Sequence, residues 1–328
     1  MKLAAGLLLG ACLAFARTNA HAASSGAATV RIQGQEYVRL LDWARDRGFE
    51  RQWVKRDESF ELMDQRGTRW QFLVDWRESR LNNLQVWLLF PLAFRDGVPL
   101  ISQSDLEHTL RPLLTPERNA EGRKIKTICL DPGHGGKDPG NRAGAKQEKD
   151  YALRLAFELR DQLKRAGFKV YLTRPTDTFI ELPDRPGIAR RWRADLFVSL
   201  HFNATSEGRT EAKGAEVYAF TPAGAPSTNA RGEGSGGSAR GNKFDGKNIL
   251  LAHEIQRFLV RQLAVEDRGV RRARWAVLRD AAMPATLIEA GFMSHPVEGK
   301  KIFDSAYRRQ MAKAIADGIA SYKRIVER

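Results

Sequence analysis

Cysteine is scarce in this chain of 328 residues: there are two, Cys12 and Cys129. Cys12 sits in the N-terminal stretch Leu3 to Ala16, which follows Lys2, is largely apolar and precedes the small-x-small site Ala20-His21-Ala22. That is the layout of a secretory signal peptide spanning 1–22. The run is too short for a comfortable membrane span, and nothing else approaches the ~20 apolar residues a span needs, so no integral membrane segment is expected in the mature chain. A competing reading makes Leu9-Gly10-Ala11-Cys12 a lipoprotein signal with Cys12 lipidated, although the apolar run continues past it. If cleavage follows Ala22, Cys129 is left alone. An intramolecular disulfide is then excluded despite export, and packing must hold the fold.

Acidic residues are also short. Of 54 basic residues Lys2 and Arg17 fall in the leader, leaving 52 against 39 acidic ones, a formal +13. Such a balance favours a polyanion. Export turns that expectation away from nucleic acid and toward anionic envelope polymers, in the periplasm, the cell envelope or the exterior. A basic surface that is merely solvated would give the same count.

The length suits two domains. Residues 29–114 hold five of the seven tryptophans, Trp43, Trp53, Trp70, Trp76 and Trp87. Ser59 to Leu62 and Trp70 to Val74 alternate with period two around a turn at Asp64-Gln65-Arg66-Gly67, the pattern of a β-hairpin. Leu40, Leu41 and Ala44 mark a short helix stopped near Gly48. A small α+β domain fits. Its rhythm, with Tyr37-Val38 leading into a helix and Asp96-Gly97-Val98-Pro99-Leu100 into another, resembles the copper amine oxidase N-terminal-like domain, which implies a stalk or wall-associating module. His108 has no visible partner ligands there and is read as a surface residue.

Polar 115–126 reads as a linker. From 127 to 328 strands alternate with helices. Gln147 to Ala166 carries an apolar stripe at Ala152, Leu155, Ala156, Leu159 and Leu163 closed by Gly167, and strands are expected at Thr127 to Leu130, Phe168 to Thr173, Leu196 to His201, Gly214 to Phe220, Trp275 to Arg279 and Pro284 to Glu289. Further helices are expected over Leu182 to Ala194, Lys247 to Leu263 and Ser305 to Lys323. The fold class is therefore α/β: a mixed, largely parallel sheet with helices on both faces, preceded by the small α+β domain. Residues 221–246, rich in Gly and Ser, read as a flexible surface loop.

Three of the apolar strands end on residues that bind metals or carry protons. Thr127 to Leu130 runs into Asp131-Pro132-Gly133-His134-Gly135-Gly136, Leu196 to Leu200 into His201, and Pro284 to Ile288 into Glu289. Ligands of open α/β sheets bind beyond the carboxyl ends of strands, so these side chains could converge. Glu148, fourteen residues after His134, opens the next helix and is brought back by the turns at Asp138-Pro139-Gly140 and Ala143-Gly144. Two histidines, a carboxylate and an open position form a hydrolytic zinc set, with Glu289 as the base. The bland readings are a structural histidine in a turn, a helix-starting acid at Glu148 and a buried ion pair at Glu289.

The motifs Leu130-Asp131-Pro132-Gly133-His134-Gly135-Gly136, Glu148-Lys149-Asp150, Ser199-Leu200-His201-Phe202-Asn203-Ala204 and Ile288-Glu289-Ala290-Gly291-Phe292-Met293-Ser294 resemble, in order, those of the zinc-dependent N-acetylmuramoyl-L-alanine amidases. Leu172-Thr173-Arg174, Asp195-Leu196-Phe197 and Asp267-Arg268-Gly269-Val270 agree as well. The resemblance implies Zn2+ held by His134, Glu148 and His201, and a catalytic Glu289. It also implies a peptidoglycan substrate cut between N-acetylmuramic acid and L-alanine, with an activator protein as a candidate partner. Asn203 is a candidate for orienting substrate or the His201 loop. Some relatives carry a helix whose glutamate caps the zinc; here the 87 residues between His201 and Glu289 are filled largely by the Gly/Ser-rich loop, which is expected to border the cleft instead. His253 is read as solvated beside Arg257, and His295 as a turn residue. The alternatives are a non-catalytic wall-binding protein and a zinc peptidase acting within the stem peptide.

Overall fold

The computed structural model describes residues 29–205, 210–230 and 236–327. The leader at 1–22 and Cys12 lie outside the described residues. The N-terminal part contains β1 (Val30–Ile32), β2 (Gln35–Arg39), α1 (Leu40–Arg45), β3 (Phe49–Lys55), β4 (Ser59–Asp64), β5 (Arg69–Leu73), β6 (Glu78–Leu81) and β7 (Leu84–Trp87). It closes with β8 (Ala93–Arg95), β9 (Val98–Ser102), α2 (Gln103–Asp105), a π-helical turn at Leu106–Leu110 and α3 (Arg111–Leu114). There follow β10 (Thr127–Pro132), β11 (Arg142–Ala143), β12 (Lys146–Gln147), α4 (Glu148–Arg165), β13 (Lys169–Leu172), α5 (Asp184–Arg191), β14 (Leu196–Asn203) and β15 (Ala215–Phe220). The chain ends with α6 (Asp245–Leu263), β16 (Asp267–Ala273), α7 (Ala276–Arg279), β17 (Ala285–Phe292), α8 (Glu298–Phe303) and α9 (Ser305–Val326).

Local chemistry explains these elements. The β4–β5 hairpin turns where Asp64 Oδ1 accepts the backbone N–H groups of Arg66 and Thr68. Alternation then buries Phe60, Leu62, Trp70 and Phe72 on one side of the hairpin. In α4 the whole apolar stripe is buried. α9 begins where the Asp304 carboxylate accepts the N–H groups of Ala306 and Tyr307, an N-cap.

One sheet organises the molecule, in the order β13-β10-β14-β17-β15-β16-β7-β6-β5-β4-β3. The first four strands are parallel; β15 runs against β17, and β16 runs with β15. The meander β3 to β7 continues this sheet, because β7 pairs with β16 through Val86 and Val270. A second sheet, β1-β2-β9-β8, completes the N-terminal part. The mixed α/β architecture with helices on both faces is as expected from sequence.

Side chains alternate between two cores. Ile128, Leu130, Val198, Leu200 and Ile288 pack with the apolar faces of α4, α6 and α9, in a core that also takes in Phe60, Trp70, Phe72 and Val86. Cys129, Phe197, Tyr218, Phe220, Ala285 and Leu287 face a smaller core closed by α5 and α7. Along β14 and β17 the parity of Phe197 and Leu287 carries His201 and Glu289 onto that second face.

Two local expectations are corrected. Residues 276–279, expected as strand, form the helical turn α7, and the strand lies just before it at β16. Strand β16 has three arginines and no apolar alternation, so its pattern gave no sign of burial; buried Glu216 and the carbonyls of Phe220 and His108 accept their charge. Parts of 221–246 are also more ordered than a flexible loop. Thr228 exchanges backbone and hydroxyl bonds with Arg272, Arg77 donates to the carbonyls of Ser227 and Thr228, and Arg240–Phe244 forms a 3₁₀ turn. Since β15 is antiparallel to β17, this segment leaves the sheet at the edge opposite His134. No helix among the described residues is long and apolar enough to cross a membrane.

Candidate metal centre

His134 lies two residues beyond the end of β10 and adopts a left-handed backbone, φ +61°. Its imidazole is fixed on both sides: Nδ1 lies 2.8 Å from Asp138 Oδ2 and Nε2 lies 3.0 Å from Glu148 Oε2. With a metal on Nε2, the Asp138 carboxylate would keep the ring's one proton on Nδ1 and so favour the ligating tautomer. Asp138 was read from sequence only as part of a turn. It does shape the turn, since Oδ1 accepts the Gly140 N–H at 3.0 Å, and the second oxygen is what reaches the histidine.

Glu148 is the first residue of α4 and is 1% exposed. Its Oε1 lies 2.9 Å from His201 Nδ1 and accepts the Phe202 N–H, while Oε2 accepts the Asn141 N–H. Burial alone would raise this carboxyl; the hydrogen bonds of His134 and His201 outweigh it and hold Glu148 well below the usual carboxylate range. For His134 burial works against the charged ring, and Glu148 with Asp138 overcomes it, raising its basicity. One ligand atom from each of His134, Glu148 and His201 lies within 4.8 Å of the other two. Two imidazoles and a buried carboxylate converging in this way fit a divalent ion of the zinc class. Gly140 makes the approach possible: a Cβ there would collide with the His134 ring and Glu148 Oε2.

Glu289 is the register partner of His201 across β14 and β17, and of Glu216 across β17 and β15. Its Oε2 is buried without a hydrogen-bond partner among the described residues. Burial pushes its carboxyl well above the usual range, and the nearby charges of Glu148 and Glu216 push it further. Asn203 Oδ1 accepts the N–H of Ala204 at 3.0 Å, within the loop that follows His201. Its Nδ2 donates to Glu216 Oε1 at 3.0 Å, and Tyr218 donates to the same oxygen at 2.9 Å.

The loop under His134 is held by two arginines whose role the sequence reading did not anticipate. Arg174 donates to the carbonyls of Pro132 and Gly133, and Arg185 to those of Pro132 and His134. Arg185 also pairs with fully buried Asp131 at 2.9 Å, whose remaining bonds come from Thr173 and Ser199. Aimed carbonyls and a neutralised buried carboxylate make this loop rigid. The available signal was an arginine placed two residues after strand β13, in Leu172-Thr173-Arg174.

The other described histidines lie elsewhere. His253 is 8% exposed and faces Glu254, so the solvated reading is corrected: α6 is buried on nearly every side. His108 is half-buried, 3.7 Å from Asp245, and its carbonyl accepts from Arg272. His295 Nδ1 accepts the N–H groups of Val297 and Glu298 and so stabilises the turn into α8.

The sequence pattern of the family described as N-acetylmuramoyl-L-alanine amidase matches residues 128–321. The chain is 35% identical over 245 residues to N-acetylmuramoyl-L-alanine amidase AmiC of Neisseria meningitidis serogroup B, covering 67% of this chain and 57% of that protein. It is 32% identical over 248 residues to N-acetylmuramoyl-L-alanine amidase AmiA of Escherichia coli K12, covering 68% and 84%. The crystal structure of N-acetylmuramoyl-L-alanine amidase from Clostridium difficile 630 superposes with a TM-score of 0.51 at 34% identity, covering 61% of this chain and 97% of that one. The catalytic domain of CwlV from Bacillus (Paenibacillus) polymyxa var. colistinus gives the same TM-score at 29% identity, covering 61% and 99%.

Proposed function

The chain belongs to the N-acetylmuramoyl-L-alanine amidase family, and from that premise we propose that it is a zinc-dependent peptidoglycan hydrolase, cutting the amide between N-acetylmuramic acid and L-alanine. The observation that carries this reading is the convergence of His134, Glu148 and His201 beside a buried Glu289 whose Oε2 has no hydrogen-bond partner among the described residues.

In this reading the two imidazoles and Glu148 hold Zn2+, which when bound supplies Lewis acidity that polarises a carbonyl and acidifies water. Asp138 keeps His134 in its ligating tautomer, and Arg174 and Arg185 keep the His134 loop in place. Glu289, one strand from His201, takes the proton of the attacking water and delivers it to the departing alanine nitrogen. Its burial supports that duty, because a carboxyl with raised proton affinity is a stronger acceptor for the proton of water than an exposed one.

The leader and the basic surface support action outside the cytoplasm on an anionic wall. Residues 29–114 then serve as the wall-associating part. The deciding experiment is incubation of the zinc-loaded protein with purified peptidoglycan, with a chelated control, and mass spectrometry of the released fragments. Intact stem peptides beginning with a free L-alanine amine, formed only with metal, are expected. New carboxylates within the stem would instead make it a peptidase, and bound zinc without any release would make it a wall-binding protein.

A further inference from the structure

The sequence Asp267-Arg268-Gly269-Val270 has no part in the chemistry described so far, yet it lies two strands from Glu289. It opens β16 with a bulge: Ala215 pairs with Asp267 and Val217 with Val270, so three residues of β16 span the space of two on β15. Gly269 takes φ +90°, and a Cβ there would press on Gln85. A bulge of this kind re-aims a side chain. Simple alternation would place Arg268 with Val270 in the larger core; the extra residue turns it toward Glu216 instead.

There Arg268 is fixed but not used up. Nε donates to Glu216 Oε2 at 3.1 Å, and the guanidinium carbon lies 4.8 Å from the centre of the Phe292 ring. Its two terminal nitrogens have no hydrogen bond to another described residue, and the side chain is 27% exposed. Arg271 pairs with the same Glu216 but is consumed, because it also donates to Asn229 and to the Arg268 carbonyl. One buried carboxylate thus anchors two guanidiniums, and the fork of Arg268 faces outward with positive charge to spare.

We propose that Arg268 is a specificity-determining residue that binds a carboxylate of the released peptide, borne by the residue after the alanine. Resting on the amidase reading, this adds the acidic group that the site selects. β16 lies two strand spacings, about 10 Å, from β17. The bond to Glu216 on the strand between draws the guanidinium back over that gap, and one or two residues of extended peptide at about 3.4 Å each cover the remainder. A planar fork held at Nε and stacked on a ring is preorganised for bidentate carboxylate binding.

The test compares zinc-loaded wild-type protein on a soluble N-acetylmuramoyl-L-alanyl-D-glutamyl peptide whose second-residue α-carboxylate is free, and on its α-amide. Wild type is expected to prefer the acid by tenfold or more in kcat/KM. Arg268→Gln should lower the acid's kcat/KM to the level of the amide while leaving the amide within about twofold, and Arg268→Lys should keep part of the preference. Equal wild-type rates on both substrates would overturn the assignment and leave the amidase reading standing. An equal fall on both substrates in Arg268→Gln would overturn it too, since that is what a merely structural role through Glu216 produces. If wild type cleaves neither, both readings fall.

Discussion

Under the proposed mechanism Asp138 and Glu289 divide the labour at the centre, one setting a ligand and the other moving a proton. Glu289→Gln keeps the shape and loses the base, so zinc content by elemental analysis should match wild type while kcat falls by about 10²–10⁴. Metal loss accompanying the activity loss would place Glu289 among the ligands. Asp138→Asn should act the other way, lowering zinc affinity about 10–100-fold in a chelator competition. The difference in legibility between the two has a physical origin. Glu289 ends an apolar strand, where an acid stands out, as do His134 and His201. Asp138 sits in a turn where an aspartate is expected anyway, and only the second carboxylate oxygen reveals its other task. Arg174 and Arg185 were hard to read for a similar reason: apart from the pairing of Arg185 with Asp131, their partners are backbone carbonyls, which side-chain patterns seldom advertise.

Helix α6 shows where periodicity runs out. A single stripe was visible in it, but α9, the sheet and the N-terminal part surround it, so His253 and Glu254 are buried with the apolar residues. Burial alone would raise the Glu254 carboxyl; hydrogen bonds from His253 and Arg257 reverse this and bring it down to about 2. A carboxyl lower in the folded than in the unfolded chain stabilises the fold above its ordinary value of 4.5 and loses that contribution as pH falls toward 2. Unfolding midpoints measured between pH 5 and pH 2 should therefore drop more steeply for wild type than for Glu254→Gln. Parallel curves would mean that the His253–Glu254–Arg257 group adds nothing to acid sensitivity. Strand β16 hid for the opposite reason: its arginines look like surface, and the acceptors that bury them come from β15, the His108 carbonyl and a loop.

Across the whole molecule, the alternation of strands and helices was readable, whereas the joining of the two parts was not. Val86 and Val270 pair across more than 180 residues, and local sequence carries no trace of such a bond. The larger core likewise runs from Phe60 and Trp70 to α9. Removing residues 29–114 would uncover the β16 edge and leave Arg272, now 1% exposed, without the His108 carbonyl. The remaining 115–328 should melt at a lower temperature and aggregate more readily than 29–328, as scanning calorimetry and light scattering would show. Unchanged melting would mean that the shared edge contributes little.

Within 29–328 Cys129 is the one thiol. It lies fully buried on β10, in the smaller core beneath the His134 loop, and burial suppresses its ionisation. A thiol-reactive dye can reach it only when that strand parts from its neighbours. The molecule therefore carries its own clock for the opening of the strand that leads to the candidate metal centre: in protein 29–328, labelling rates that fall on adding zinc would report an ion holding that strand shut, and unchanged rates would report none.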